Sequence, residues 1–399
     1  MKNYNLINNI SGWVVFLVAA FTYLMTIEPT ASLWDCGEFI ASVLKLEVGH
    51  PPGNPVFMVM GNFFTHFAGG NMSKVALMVN SMSALASAFT ILFLFWTITH
   101  LAAKILLKEE KDFNTGRIIA VMAAGAVGAL AYNFSDSFWF SGVEGEVYAS
   151  SSFFTAVVFW AILKWENVAD EKYADKWIIL IAFLIGLSIG VHLLNLLAIP
   201  AMVLVYYFRK FEFTWKGFII SFAISFILLA LLMYGIMPGV VIISTKFDWF
   251  FVNTLGMPVN SGMIFHVILL FVTLSLAVYY TFTSSSAKKE GAFAIAALFL
   301  TGIWVVSGSA VLNLIVLVII SGFTWYLADK QRVVLNTALT AILVILIGYS
   351  SNAIIVIRSS AGTPLNENNP SNPFNLLYFL NREQYGQRPY SEAPFIMLP

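Results

Sequence analysis

Long apolar segments alternate with short polar ones along almost the whole chain. A helix needs roughly 20 apolar residues to cross the ~30 Å hydrocarbon core of a bilayer. We expect the first apolar segment to be a retained helix rather than a signal peptide, because no convincing small-x-small cleavage site follows it. The pattern predicts eleven membrane-spanning helices, at residues 12–27, 73–99, 117–134, 149–165, 177–190, 193–208, 217–237, 263–283, 291–306, 309–328 and 335–357.

The nearly uncharged stretch 177–208 decides the topology. As one helix it would be about 48 Å long, which is too long for a single crossing without severe tilt. Dividing it near Gly190–His192 gives two short helices and places 15 of the 21 lysines and arginines on one side. The positive-inside rule favours this division. It predicts a cytoplasmic N-terminus, a periplasmic C-terminus and an outer position for His192.

Composition and charge narrow the class of protein. Hydrophobic residues make up 59% of the chain and charged residues only 11%, whereas soluble domains are about half apolar and a quarter charged. These values exclude a soluble enzyme and a disordered chain. The 21 basic and 21 acidic residues balance, so no basic field is available for nucleic acid. Cys36, the one cysteine, excludes a disulfide framework. The predicted fold class is an all-α polytopic membrane protein.

Function is expected on the outer face, because the outer segments are longer than the inner loops and carry the unusual chemistry. We interpret residues 1–358 as one transmembrane domain and residues 359–399 as an extracytoplasmic tail, the start of a larger soluble region. The outer segments are residues 28–72, 132–148, 238–262 and 358–399.

The first outer loop carries two carboxylates. Asp35 and Glu38 lie three residues apart, so on a helix they share one face. Such carboxylates raise each other's pKa and can divide the roles of base and orienting group. Alternatively, Asp35 caps a helix over Glu38, as in a capping box. The short amphipathic segments 39–47 and 55–67 are predicted to be helices lying in the membrane interface.

Other outer residues could contact a substrate. His50 begins the rigid turn His50-Pro51-Pro52-Gly53, which could hold a phosphate or sugar hydroxyl or serve only as a turn. Glu144 and Glu146 lie among aromatic residues, as in sugar sites, although Glu146 can simply begin a helix. Ionisable groups within membranes cost about 2.5–3.5 kcal/mol when charged and are usually functional. His192 is therefore either a functional residue or a connector between two helices.

Together these motifs resemble those of a known superfamily of enzymes. Trp34-Asp35-Cys36-Gly37-Glu38, followed by His50-Pro51-Pro52-Gly53-Asn54-Pro55, resembles the GT-C superfamily of lipid-linked sugar transferases, and especially the protein O-mannosyltransferases. Over nearly its full length, the chain is similar to a bacterial, Bacteroidota-type family related to the vertebrate transmembrane O-mannosyltransferase. Further support comes from segments 143–148, 190–195, 366–371 and 381–386.

The resemblance implies roles for individual residues. Asp35 would be the general base that activates the acceptor hydroxyl, and Glu38 its supporting acid, with His50 in the same loop against the substrate. Because the motif reads Asp-Cys-Gly-Glu rather than Asp-Glu, it stays open which carboxylate is the base. Glu144 and Glu146 would occupy the second acidic position of the superfamily.

The donor phosphate would lie where the membrane meets the outer surface. The resemblance places His192 near that phosphate. Arg358 ends the last predicted helix, so it could contact the same phosphate or serve only as an interfacial anchor. Two acids could also hold a divalent metal through oxygen ligands, but nothing fixes the ligand number. No other cofactor is predicted.

The implied fold is a GT-C-like bundle of about eleven transmembrane helices, and the implied location is the cytoplasmic (inner) membrane. The implied activity is transfer of a mannose-like sugar from a polyprenyl-phosphate donor to a hydroxyl of a protein or envelope acceptor on the outer face of the membrane. The expected partners are this donor, a protein or glycan acceptor, the lipid bilayer and other envelope proteins, and no nucleic acid. The alternatives are a transporter or flippase for a lipid-linked solute and a scaffold of an envelope secretion complex. Transporters often show inverted repeats and broken midplane helices, and the sequence shows neither beyond the break at 190–192.

The predicted topology can be tested with single cysteines. Cysteines at Asn71 and Ser141 should react with a membrane-impermeant reagent in intact cells, because both lie in predicted outer segments. A cysteine at Asn114 should stay unlabelled. Labelling at Asn114 would contradict the orientation and, with it, the outer position of the acids.

Overall fold

The computed structural model describes residues 2–284 and 286–386, and this part of the chain is almost entirely helical. It contains no β-strand, only an isolated parallel bridge between Val48 and Asn366. The helices are α1 (Lys2–Met25), α2 (Cys36–Lys45), α3 (Pro55–Thr65), α4 (Val75–Leu106), α5 (Thr115–Asn133), α6 (Asp136–Val143), α7 (Val147–Val168), α8 (Lys176–Ile189), α9 (Ile199–Lys210), α10 (Trp215–Ala230), α11 (Met237–Leu255), α12 (Ser261–Thr283), α13 (Ala287–Thr301), α14 (Ala310–Lys330), α15 (Arg332–Tyr349), α16 (Ala353–Ser360) and α17 (Pro373–Leu380).

The predicted class is confirmed: the chain is an all-α polytopic membrane protein. Within the described residues, nine helices are long and apolar enough to cross a membrane, rather than the eleven predicted. All eleven apolar segments lie in helical structure, but α8 has 14 residues and α13 has 15. At 1.5 Å per residue, each is only about 21–23 Å long. The two helices are shorter than the other nine because a turn ends each of them early, so length and composition alone do not identify them as membrane-spanning.

Residues 238–262 differ most from the prediction of an outer loop. The helix that begins at Trp215 continues as far as Leu255, a length of 41 residues. A π-helical turn at Leu231–Ile236 joins α10 to α11, immediately before Pro238. A π turn rearranges the backbone ladder, so the proline, which has no N–H to donate, fits here without ending the helix.

The predicted break within residues 177–208 is confirmed. Helix α8 ends at Ile189, and a turn at Gly190–His192 leads into a short 3₁₀ helix and then α9. The carbonyl of Gly190 accepts a hydrogen bond of 2.8 Å from the backbone N–H of Val56, at the start of α3. This contact attaches the break to the first outer loop.

The four segments predicted to be outer meet on one face of the bundle. The N–H of Glu28 donates to the carbonyl of Val143 (3.0 Å), and the side chain of Asn260 donates to the carbonyl of Ser371 (2.8 Å). Val48 packs with residues of α11, α16 and α17 in one buried apolar cluster. The predicted inner loops meet at the opposite face, where the ion pairs Lys104–Glu166, Arg209–Asp170 and Arg332–Glu290 form.

Helices α8 and α15 cross at two glycines. A Cβ at Gly186 would lie well under 3.0 Å from the backbone of Ile345, and a Cβ at Gly348 equally close to the backbone of Leu187. Small residues allow helices in a membrane to approach closely and gain van der Waals contact. The crossing holds the break at 190–192 in place, since α8 leads directly into it.

The variant Gly186→Ala should lower the thermal unfolding temperature of the purified protein. Overpacking of this kind costs about 1–3 kcal/mol, and here the new methyl group meets backbone rather than a flexible side chain. Gly322→Ala is the matched control, because a Cβ at Gly322 in α14 has nothing within 4 Å. Equal unfolding temperatures for the two variants would contradict the close crossing.

Candidate active site on the face of the first outer loop

Asp35 occupies the N-cap position of α2, at the start of the helix. Its side chain makes no capping hydrogen bond there. The side chain is 56% exposed, whereas that of Glu38, one turn further on, is 26% exposed. The capping-box alternative is therefore wrong for this helix, and the carboxylate of Asp35 is accessible to a substrate.

Glu38 binds the His-Pro-Pro turn instead. One of its oxygens, Oε1, accepts hydrogen bonds from the backbone N–H of His50 (2.6 Å) and from its ring Nδ1 (3.0 Å). The other ring nitrogen, Nε2, faces the carboxylate of Asp35 at 3.9 Å. Gly49 makes this approach possible, because a Cβ there would overlap the same Oε1 atom. The imidazole thus lies between the two carboxylates of the motif.

Opposite pKa shifts accompany this pairing. Burial raises the pKa of Glu38, but the hydrogen bonds and charge of His50 outweigh burial and lower it overall. The hydrogen bond to Glu38 raises the pKa of His50 against the effect of burial, and the charges of Glu38, Asp35 and Glu367 add to the rise. Each residue therefore favours the charged form of the other, so the pair stays ionised over a widened pH range.

Glu144 and Glu146 are both buried beside this pair. Glu144 accepts a hydrogen bond from the hydroxyl of Ser32. Glu146 is the N-cap of α7, where its side chain accepts from the N–H of Val147 at 2.5 Å, which confirms that it begins a helix. Burial, together with the charges of Asp35 and Glu144, raises the pKa of Glu146 to about 7 although its backbone hydrogen bond lowers it. Near neutral pH this acid is therefore part protonated, and both outer loops contribute to one acidic cluster.

His192 lies at the break after α8 and is partly buried. Its Nδ1 accepts a hydrogen bond of 3.2 Å from the N–H of Leu194, which leaves Nε2 to carry the proton. Its ring packs edge-on against Tyr148 of α7, with 5.5 Å between ring centres. Burial lowers the pKa of His192, and the charge of Arg382 lowers it further. Near neutral pH the residue is a neutral hydrogen-bond donor rather than a cation.

Arg358 lies in α16, as predicted, but its guanidinium binds the end of α2. Nε donates to the carbonyl of Leu46 and Nη2 to that of Lys45, each at 2.8 Å. These are carbonyls that a helix C-terminus leaves without partners. The geometry gives Arg358 a capping function, and its predicted contact with a phosphate stays a prediction.

The predicted tail packs against the first outer loop as far as it is described. The N–H of Val48 donates to the carbonyl of Leu365, and the N–H of Glu367 to the carbonyl of Val48, both at 3.0 Å. These contacts lie two residues before His50 and bring the charge of Glu367 to its ring. Residues 387–399 of the predicted tail lie outside the described residues.

Sequence reasoning missed several supporting residues. Ser32 binds Glu144, and Asn80 of α4 donates to the carbonyls of Glu28 and Thr30. Neither contact has a local signal, because the partners lie far apart in sequence. Gly49 did have a local signal in the sequence, since it directly precedes the His-Pro-Pro turn. Among the described residues, no three His, Cys, Asp or Glu side chains are grouped as ligands for a metal ion.

Comparisons with known proteins agree with the motifs. Residues 35–215 match the family model described as the N-terminal domain of protein O-mannosyl-transferase TMEM260. The protein O-mannosyl-transferase tmem260 of Dictyostelium discoideum is 25% identical over 232 residues, which cover 55% of this chain and 26% of that protein. The protein O-mannosyl-transferase TMEM260 of Mus musculus is 26% identical over 176 residues, covering 44% and 22% of the two chains.

The chain spans about a quarter of the length of these curated relatives. No solved structure matches it. The matched region runs from Asp35 through the candidate site to α10 and therefore includes Glu38, His50, both acids of the second loop and His192. The comparisons thus confirm the resemblance predicted from the motifs: the chain is similar to the O-mannosyltransferase-like membrane glycosyltransferases.

Proposed function

We propose that this protein transfers a mannose-like sugar from a polyprenyl-phosphate donor to a hydroxyl group of a protein or envelope acceptor. The reaction takes place at the outer face of the inner membrane, with the N-terminus cytoplasmic and the C-terminus periplasmic. The similarity to two protein O-mannosyl-transferases supports protein glycosylation. The polytopic fold supports a lipid-linked donor. The polyprenyl tail of such a donor stays in the bilayer while its sugar meets an acidic site at one face.

The observation that carries this proposal is the exposed carboxylate of Asp35 beside His50. Glu38 is occupied by two hydrogen bonds from His50, whereas Asp35 makes no capping bond and is more than half exposed. Asp35 is therefore the general base, and Glu38 is the residue that positions His50. The proposal thus takes the first of the two carboxylates as the base.

The step itself is a displacement with inversion. The acceptor oxygen forms a bond to the anomeric carbon of the sugar while the bond from that carbon to the phosphate oxygen breaks. Asp35 takes the proton of the acceptor hydroxyl, and polyprenyl phosphate leaves as an anion. The imidazolium of His50 faces Asp35 and stabilises its carboxylate before the proton arrives.

The remaining site residues bind the donor. His192 presents a neutral Nε2–H, which can donate to a phosphate oxygen. Glu146, with a pKa of about 7, and Glu144 can hydrogen-bond sugar hydroxyls. Both acids are buried, whereas Asp35 is exposed, which supports sugar binding by the buried acids and proton transfer at Asp35.

Asp35→Asn should reduce transfer about 100-fold or more, since a positioned base contributes roughly that factor, while the folded protein stays in the membrane. The assay measures transfer of labelled mannose from polyprenyl-phosphate mannose to envelope proteins by the purified variant. Asp136→Asn is the matched control, because Asp136 begins α6 on the same face and is exposed. Near-normal turnover by Asp35→Asn would remove the base role from Asp35. A lower protein level with normal turnover per molecule would indicate a structural role.

Glu38→Gln should change the pH dependence as well as the rate. Because Glu38 raises the pKa of His50, the substitution lowers that pKa, and the protonated ring is lost at lower pH. The alkaline limit of activity should therefore move to lower pH. The measurement is kcat against pH for wild type, Glu38→Gln and the Asp136→Asn control. A uniform loss of rate with an unchanged alkaline limit would show that Glu38 serves only to hold the loop.

A further inference from the structure

A polar cavity opens on the face opposite the candidate site. It has a volume of about 370 Å³ and lies between α1, α4 and α7. Helix α4, which has 32 residues and is about 48 Å long, begins near the candidate site and reaches the cavity at its other end. None of the described residues that line the cavity is acidic. Its polar walls are formed mainly by Asn5, Asn9, His100, Lys104, Lys164 and Asn167.

Of the two lysines that line the cavity, only Lys164 has no ion-pair partner among the described residues. Glu166 lies behind the wall and binds Lys104 and, at 3.3 Å, His100. Lys164 makes no ion pair with any described residue. Its ammonium lies 5.1 Å from the ring centre of Trp160, which also lines the cavity. Lys164 is therefore a cation at the cavity without an ion-pair partner among the described residues.

An apolar groove lies beside this cavity, along α1 and α5. Its volume is about 930 Å³, and its walls include Ile7, Val14, Ile119 and Met122. Tyr4 and Phe113 line both spaces, and their rings contact each other edge-on at 5.8 Å. The cavity and the groove together match a molecule with an anionic polar end and a long apolar part.

We propose that the cavity and groove together bind one acidic glycerophospholipid. The phosphate lies against Lys164, and an acyl chain occupies the groove between α1 and α5. Basic pockets between transmembrane helices are known to bind anionic head groups. A zwitterionic lipid fits less well, because its own cation would meet Lys164, whereas the nearby Glu166 is already paired with Lys104. The site lies at the other end of α4 from the acids and is separate from the proposed chemistry.

Native mass spectrometry of the full-length protein in detergent tests this site, with phosphatidylglycerol and phosphatidylcholine as probes. Lys164→Gln should weaken phosphatidylglycerol binding about five-fold, as expected for one surface cation, and should leave phosphatidylcholine binding unchanged. Lys289→Gln is the matched control, because Lys289 also lies over an aromatic ring, 3.9 Å from that of Tyr280, but lines neither space. Equal losses in the two variants, or an equal effect on both lipids, would overturn the proposal.

A second variant separates a lipid from free phosphate. Ala123→Phe fills the groove, which Ala123 lines, and leaves the lysines untouched, so it should weaken phosphatidylglycerol binding as well. Inorganic phosphate should compete poorly with the lipid. Unchanged lipid binding by Ala123→Phe, or full displacement by inorganic phosphate, would show a phosphate site without a lipid.

The variant Lys164→Arg keeps the charge and should bind phosphatidylglycerol as wild type does. Its failure to bind would also overturn the proposal.

Discussion

The candidate site depends on the two hydrogen bonds that Glu38 accepts from the backbone and ring of His50. A part-buried carboxylate is costly unless donors satisfy it, and charge-assisted hydrogen bonds are among the stronger ones. These bonds tie α2 to the His-Pro-Pro turn, direct Nε2 of His50 toward Asp35 and leave Asp35 as the exposed acid. They also explain why glycine occupies position 49, where any side chain would meet the same carboxylate.

Features with a local signal could be predicted from the sequence. The break at 190–192 follows from a length limit, and the N-cap position of Glu146 follows from the preference of an acid for a helix start. The number of spanning helices was less predictable, because apolar composition does not show where a turn ends a helix. The 41-residue helix through Pro238 was missed for a related reason. A proline normally ends a helix, and only the structure shows the π turn that accommodates it.

The site was predicted residue by residue, but its pairings were not. The spacing of Asp35 and Glu38 suggested mutual repulsion or a capping box, whereas Glu38 binds a histidine twelve positions further on. For Arg358 the sequence left open a phosphate contact or an interfacial anchor, and its described contacts are with the end of α2. Such pairings join segments that are distant in sequence, so no periodicity or motif specifies them. The resemblance identified the residues, and the structure assigns their partners.

The contact between Arg358 and the end of α2 has a consequence for biogenesis. Arg358 lies 312 residues after Leu46 and 313 residues after Lys45 in the chain. The bridge between Val48 and Asn366 spans a similar separation. Chains are synthesised from the N-terminus, and contacts of high sequence separation form late. The loop that carries Asp35 and His50 is thus translated early, but its support arrives only after the last membrane helix. In a partly inserted chain, the first outer loop therefore lacks these contacts with Arg358 and Asn366.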